Sequence, residues 1–84
     1  MILHLGDDFF VKTEHIIMIL DYEEAVKNED TGLFLKGLQM VRIGEKESPK
    51  SIVITREDKQ ENGYLSPISA RTLWKRSRKK GLDG

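Results

Sequence analysis

Two short apolar stretches, IIMIL at 16–20 and SIVIT at 51–55, constrain this chain more than any other feature. β-Branched side chains are stiff at χ1 and suit a pleated surface. The IIMIL run has no polar alternation, which predicts a strand covered on both faces. It is far too short to span a membrane. SIVIT is the clearest strand in the chain. In 84 residues there is room for one small domain, with a core lean enough to want outside support. The sequence contains no Cys, so it has neither a disulfide nor a thiolate metal site to supply that support. Self-association is the remaining route, and we expect a homo-oligomer.

The rest of the chain reads as short elements around these strands. Residues 2–11 predict a hairpin or a bent strand, with the turn at Gly6, Asp7 and Asp8. Phe9 and Phe10 then point to opposite faces, leaving one of them free for a subunit contact. The acidic segment 21–30 reads as a solvated loop. Thr31 is positioned to cap a middle helix carrying Leu33, Phe34, Leu35, Leu38 and Met40, although Gly32 and Gly37 weaken it. A short strand at 41–43, a loop at 44–49 and a charged hairpin loop at 56–63 follow, the last turning at Asn62-Gly63. Ser66 and Pro67 suit the N-cap and first position of a terminal helix, with Ser69 a rival cap. Ala70, Leu73, Trp74 and Ser77 form its docking stripe, and Gly81 is a natural C-cap. The expected fold is a single α+β domain over residues 1–84: a small, mostly antiparallel sheet, a middle helix and a basic C-terminal helix, with 78–84 a frayed tail.

Charge is divided unevenly. Residues 1–62 carry 8 Lys/Arg and 13 Asp/Glu, a net of −5, while residues 63–84 carry a net of +5. The basic cluster is Arg71, Lys75, Arg76, Arg78, Lys79 and Lys80. Arg71, Lys75 and Arg78 share one helical face, and Arg76, Lys79 and Lys80 lie on a neighbouring one. Long cations in such an array reach phosphate oxygens without reading bases. The plainer reading is a solvated face whose cations favour the negative end of the helix dipole. The acidic segment 21–30 offers a third reading, in which it pairs with the basic helix of a neighbouring copy and competes with any polyanion. Trp74 reads as a core or interface side chain among these cations.

Little in the sequence points to catalysis. His4 and His15 are the only histidines, and neither stands in metal-ligand spacing. The glycines are scattered, without a phosphate-cradling loop. A domain this small can scarcely build a deep cleft. We therefore expect no enzyme activity, no catalytic residues, no metal, no cofactor and no small-molecule substrate. The N-terminal residues lack the pattern of a signal peptide, which makes the cytoplasm the expected compartment and a membrane role unexpected.

Three pieces of the chain resemble a known family: the opening ILHLGDDFFV, the run IIMILD, and PKSIVIT followed by YLSPISARTLWKR. Together they are similar to the RemA/RemB-type extracellular-matrix regulators of Gram-positive bacteria, with the RemB branch the closer. The likeness covers residues 1–22 and 48–76, and its most specific part is Leu65-Ser66-Pro67-Ile68-Ser69 with Leu73 and Arg76. It implies a small DNA-binding regulator of biofilm-matrix genes, assembled into rings that present basic side chains to the DNA backbone. Two departures stand out. Glu14-His15 and Glu47-Ser48-Pro49 occupy segments where RemA-type chains place arginines, and only Lys50 nearby is basic. On this reading the expected DNA contacts are Lys75, Arg76, Arg78, Lys79 and Lys80, flanked by Arg71 and Lys50. The expected oligomer contacts are Phe9, Phe10 and Trp74. The alternative is an assembly module that uses its acidic and basic segments on protein partners and binds no DNA.

Overall fold

A computed structural model of the protein describes residues 1–78. Among these, the chain runs through β1 (Ile2–Gly6), β2 (Phe9–Lys12), a single 3-10 turn (Thr13–His15), β3 (Ile16–Asp21), α1 (Tyr22–Lys27), α2 (Glu29–Lys36), β4 (Gln39–Arg42), β5 (Ser51–Glu57), β6 (Gln60–Ser66) and α3 (Ala70–Arg78). β1 and β2 form an antiparallel hairpin. The other four strands form one sheet in the order β3-β5-β6-β4. Its β3–β5 and β5–β6 pairs are antiparallel, and β4 lies parallel to β6, so the sheet is mixed.

β5 carries the fold because both of its faces are covered. Val53 joins Leu3, Leu5, Ile19, Ile43 and Leu73 in a cluster beneath the hairpin and α3. Ile52 and Ile54, on the opposite face by strand alternation, join Ala25 and Leu35 beneath α1 and α2. The protein is thus an α+β, three-layer arrangement, with α3 and the acidic helices on opposite sides of the sheet. The IIMIL run departs from expectation. It forms β3, an edge strand, and its Ile17 and Met18 are exposed. Only Ile19 of that run is fully buried.

Three further expectations differ from the structure. The acidic segment is two short helices rather than a loop. Asp21 caps α1, accepting from the Glu24 amide at 3.0 Å, and Asn28 caps α2, accepting from the Thr31 amide at 2.9 Å. Thr31 therefore lies inside α2, and Met40 belongs to β4 instead of a helix. The β5–β6 hairpin turns at Asp58 and Lys59, both at positive φ, as a two-residue turn requires. Asn62 and Gly63 stay within β6, where a Cβ on residue 63 would overlap the Met40 sulfur. The absent Cβ of Gly63 thus leaves room for the Met40 side chain.

Ser66 is not the cap of the terminal helix. Ser69 takes that role, its hydroxyl accepting from the Thr72 amide at 3.2 Å. Ser66 is fully buried; its hydroxyl donates to the Leu5 carbonyl at 2.6 Å and accepts from the Ile68 amide at 3.1 Å. Ser51, buried alongside, donates to the Ile68 carbonyl at 2.7 Å. Pro67 packs against Gly6, whose φ of +128° suits glycine and whose missing Cβ leaves the room. The Ser-Pro-Ile-Ser segment therefore fastens the hairpin, β5 and α3 together. Ser66→Ala should strand two backbone groups and destabilise the domain by about 1–3 kcal/mol, measured as a lowered urea midpoint. Ser77→Ala, which removes an exposed hydroxyl bonded to the Trp74 carbonyl, should stay within about 0.5 kcal/mol.

Candidate nucleic-acid interface

α3 is held to the molecule by one narrow stripe. Leu73 is fully buried, Ala70, Thr72 and Ser77 are half-buried, and every other residue of the helix is exposed. At 100° per residue, Arg71, Lys75 and Arg78 form a row diametrically opposite Leu73, about 10 Å long. Trp74 flanks that row, whereas Arg76 lies toward the docking side, about 60° round the helix from Leu73. All four cations are exposed. The ion pairs among the described residues join the Met1 amine to Glu14, His15 to Glu57 and Arg56 to Glu61, and none involves α3. Lys75, Arg76 and Arg78 lie in the last described turn of α3; cations toward a helix's carboxyl end are favoured by its dipole, which also offsets part of their field.

Lys50 lies elsewhere. It shares a shallow depression with Asp21, Glu23, Pro49 and Ser69, beside the amino end of α3 and among carboxylates. None of the α3 cations lines that depression. Lys79, Lys80 and Gly81 lie outside the described residues.

The three aromatic contact candidates are exposed but separate. Phe10 packs on the His4 ring, with centroids 4.8 Å apart, and His4 Nε2 donates to the Asp7 carbonyl at 2.6 Å. Phe9 borders a depression with Asp7, Arg42 and Gly44. Trp74, half exposed, lies at the free edge of β3 in a cleft with Ile16, Ile17, Met18 and Arg78. A second cleft on the other face of β3 is lined by Met18, Leu20, Asp30, Thr31 and Phe34. Ile17, Met18, Phe34, Met40 and Val41 are exposed apolar residues that the sequence reading did not nominate. The signal was present in the unbroken IIMIL run, which one small domain does not cover by itself.

The polar sites offer no comparable arrangement. His15 Nδ1 stands 3.7 Å from Glu57 in an open depression with Lys12, Thr55 and Tyr64. The Glu14 carboxyl is held below its usual range by a hydrogen bond from its own backbone, then by the Met1 ammonium, at an exposed position. Among the described residues, no three His, Asp or Glu side chains converge as metal ligands, and no helix is long and apolar enough to cross a membrane.

Comparison with known proteins places the chain in a family. A sequence model of the RemA-like family, described as extracellular matrix regulatory protein A-like, matches residues 2–76. The chain is also 38% identical over 77 residues to extracellular matrix regulatory protein B of Bacillus subtilis (strain 168), an alignment spanning 92% of this chain and 90% of that protein. Both matches run through α1, α2 and β4 as well as the two ends. The chain belongs to the RemA-like family of extracellular matrix regulatory proteins.

Proposed function

We propose that this protein is a cytoplasmic, non-enzymatic transcriptional regulator of extracellular-matrix production, which binds DNA through the outer row of α3 and does so as a homo-oligomer. The observation that carries the reading is the set of exposed cations Arg71, Lys75, Arg76 and Arg78, none of them in an ion pair among the described residues. Their helix packs on the opposite side of the sheet from the acidic α1 and α2, and no described carboxylate forms an ion pair with them. Each phosphate they neutralise releases condensed counterion, and the binding constant then falls with salt. One protomer offers only a few such contacts. Self-association repeats them, and repetition turns weak contacts into useful retention. With contacts confined to the backbone, selectivity comes from DNA shape or from repeated sites rather than from base edges.

Salt-titrated DNA binding, run alongside mass measurement in solution, tests the proposal. The expected plot of log affinity against log salt is linear, with a slope near −0.9 for each phosphate engaged. The expected mass exceeds one protomer. Absence of a DNA shift at low salt would overturn the DNA reading. The second reading, a protein-interaction module, is favoured by the exposed apolar edge of β3 and by the acids at Glu14 and Glu47. Its signature is an assembly that forms without any DNA retention.

A further inference from the structure

The two free edges of the four-stranded sheet match one another. Strand registers place Met40, Gly63, Ile54 and Met18 on one row across the sheet, with Met40 at one edge and Met18 at the other. Ile54 belongs to the cluster under α1 and α2, so this row faces those helices. The next row joins Val41, Tyr64, Val53 and Ile19 on the opposite face, and the third joins Arg42, Leu65, Ile52 and Leu20. β3 and β4 run in the same direction, because β3 is antiparallel to β5, β5 to β6, and β4 is parallel to β6. Met18, Met40 and Val41 are 39%, 36% and 37% exposed.

We propose that β4 of one copy pairs in parallel with β3 of the next, in this unshifted register, so that the sheet continues from copy to copy. The proposal rests on the self-association in the function proposed above and names the surfaces that perform it. Sheet edges left solitary are normally blunted by Lys or Pro, and the sequence IIMILD of β3 contains neither. Its outer edge is flanked by an apolar cleft on each face, of about 270 and 280 Å³. An added strand projects side chains alternately to the two faces, so it fills both clefts at once.

Charge selects β4 as the occupant. A two-fold β3–β3 contact would set α3 against α3, bringing Arg78 at the border of one cleft toward its own copy, and α2 against α2 with Asp30 doing the same. A two-fold β4–β4 contact, antiparallel over Gln39–Arg42, would set Arg42 against Gln39 and leave both clefts of β3 unfilled. The head-to-tail arrangement places Met40 beside Met18 and Val41 beside Ile19. It also brings Arg42 to the row of Leu20, whose cleft includes Asp30. This arrangement fills the clefts of β3 and brings opposite charges together across the seam. Such heterologous contacts are not self-limiting at two copies.

The absence of native Cys makes the test clean. In the double variant Met18→Cys/Met40→Cys, directly adjacent strand positions fall within disulfide reach. Mild oxidation should give a ladder of covalent multimers on a non-reducing gel, whereas Met18→Cys or Met40→Cys alone should give no dimer. Met18→Lys should reduce the solution mass to one protomer while the circular dichroism spectrum stays native. An assembled protein that yields no ladder, or a dimer from either single-Cys variant, would overturn the edge pairing and leave self-association standing. A single-protomer mass for the unsubstituted chain at all concentrations would overturn both.

Discussion

Replacing Lys75, Arg76 and Arg78 together by Glu is expected to abolish DNA retention in a gel shift while the protein stays folded and assembled. Charge-assisted hydrogen bonds to phosphate contribute about 1.5–3 kcal/mol each, so three lost contacts reduce affinity by about a thousandfold or more. Reversal of charge adds repulsion to that loss. None of the three side chains is buried, and Leu73 still docks the helix. The folding cost is therefore confined to placing acids at the negative end of the helix, about 0.3–1 kcal/mol per residue. The neutral variant Lys75→Gln/Arg76→Gln/Arg78→Gln avoids even that and should still flatten the salt dependence, by about 2.7 in log–log slope for each protomer engaged. Lys50→Glu should cost far less, because Asp21 and Glu23 already surround that position. Unchanged retention in the triple Glu variant would remove α3 as the interface and favour the protein-interaction reading.

Which parts of this fold were legible beforehand follows from how local their causes are. The hairpin at 2–11 and the strand at 51–55 depend on β-branched runs and turn residues close in sequence, and both are present. The acidic helices had a readable local signal that composition obscured: Asp21 precedes Glu24 by three positions, a capping-box spacing, and Asn28 precedes α2. The Asn62-Gly63 pair misled because its glycine answers a long-range need, space for the Met40 side chain. Ser66 misled for a similar reason. Its partner is the Leu5 carbonyl, 61 residues away, which no local pattern announces. The family likeness was strongest at this same Ser-Pro-Ile-Ser segment, and the structure gives the segment a fastening role. The cations of α3 were legible as a set, while the separation of Lys50 from them required the three-dimensional arrangement. The edge position of β3 was hidden because an apolar run looks the same whether its own domain covers it or a partner does.

Leu73→Ala is expected to unfold much of the population at ambient temperature, or to lower the urea midpoint by the equivalent of about 2–5 kcal/mol. Leu73 is 0% exposed and is the only buried residue of α3. It meets Leu3 and Leu5 from the hairpin, Ile19 from the edge strand and Val53 from the central strand in one cluster, together with Ile43. Removing it leaves a cavity where the hairpin, sheet and helix converge, and the rest of the stripe (Ala70, Thr72 and Ser77) is too small to hold the helix. Small domains are stable by only about 5–15 kcal/mol, so a loss of this size consumes a large share. Trp74→Ala separates packing from exposure on the same helix. Trp74 is 50% exposed, and its removal should cost clearly less stability than Leu73→Ala, despite the larger side chain. Comparing the two midpoints therefore measures whether α3 hangs on Leu73. Equal losses would mean that Trp74 shares the anchoring and that the outward row of cations is less free than its geometry indicates.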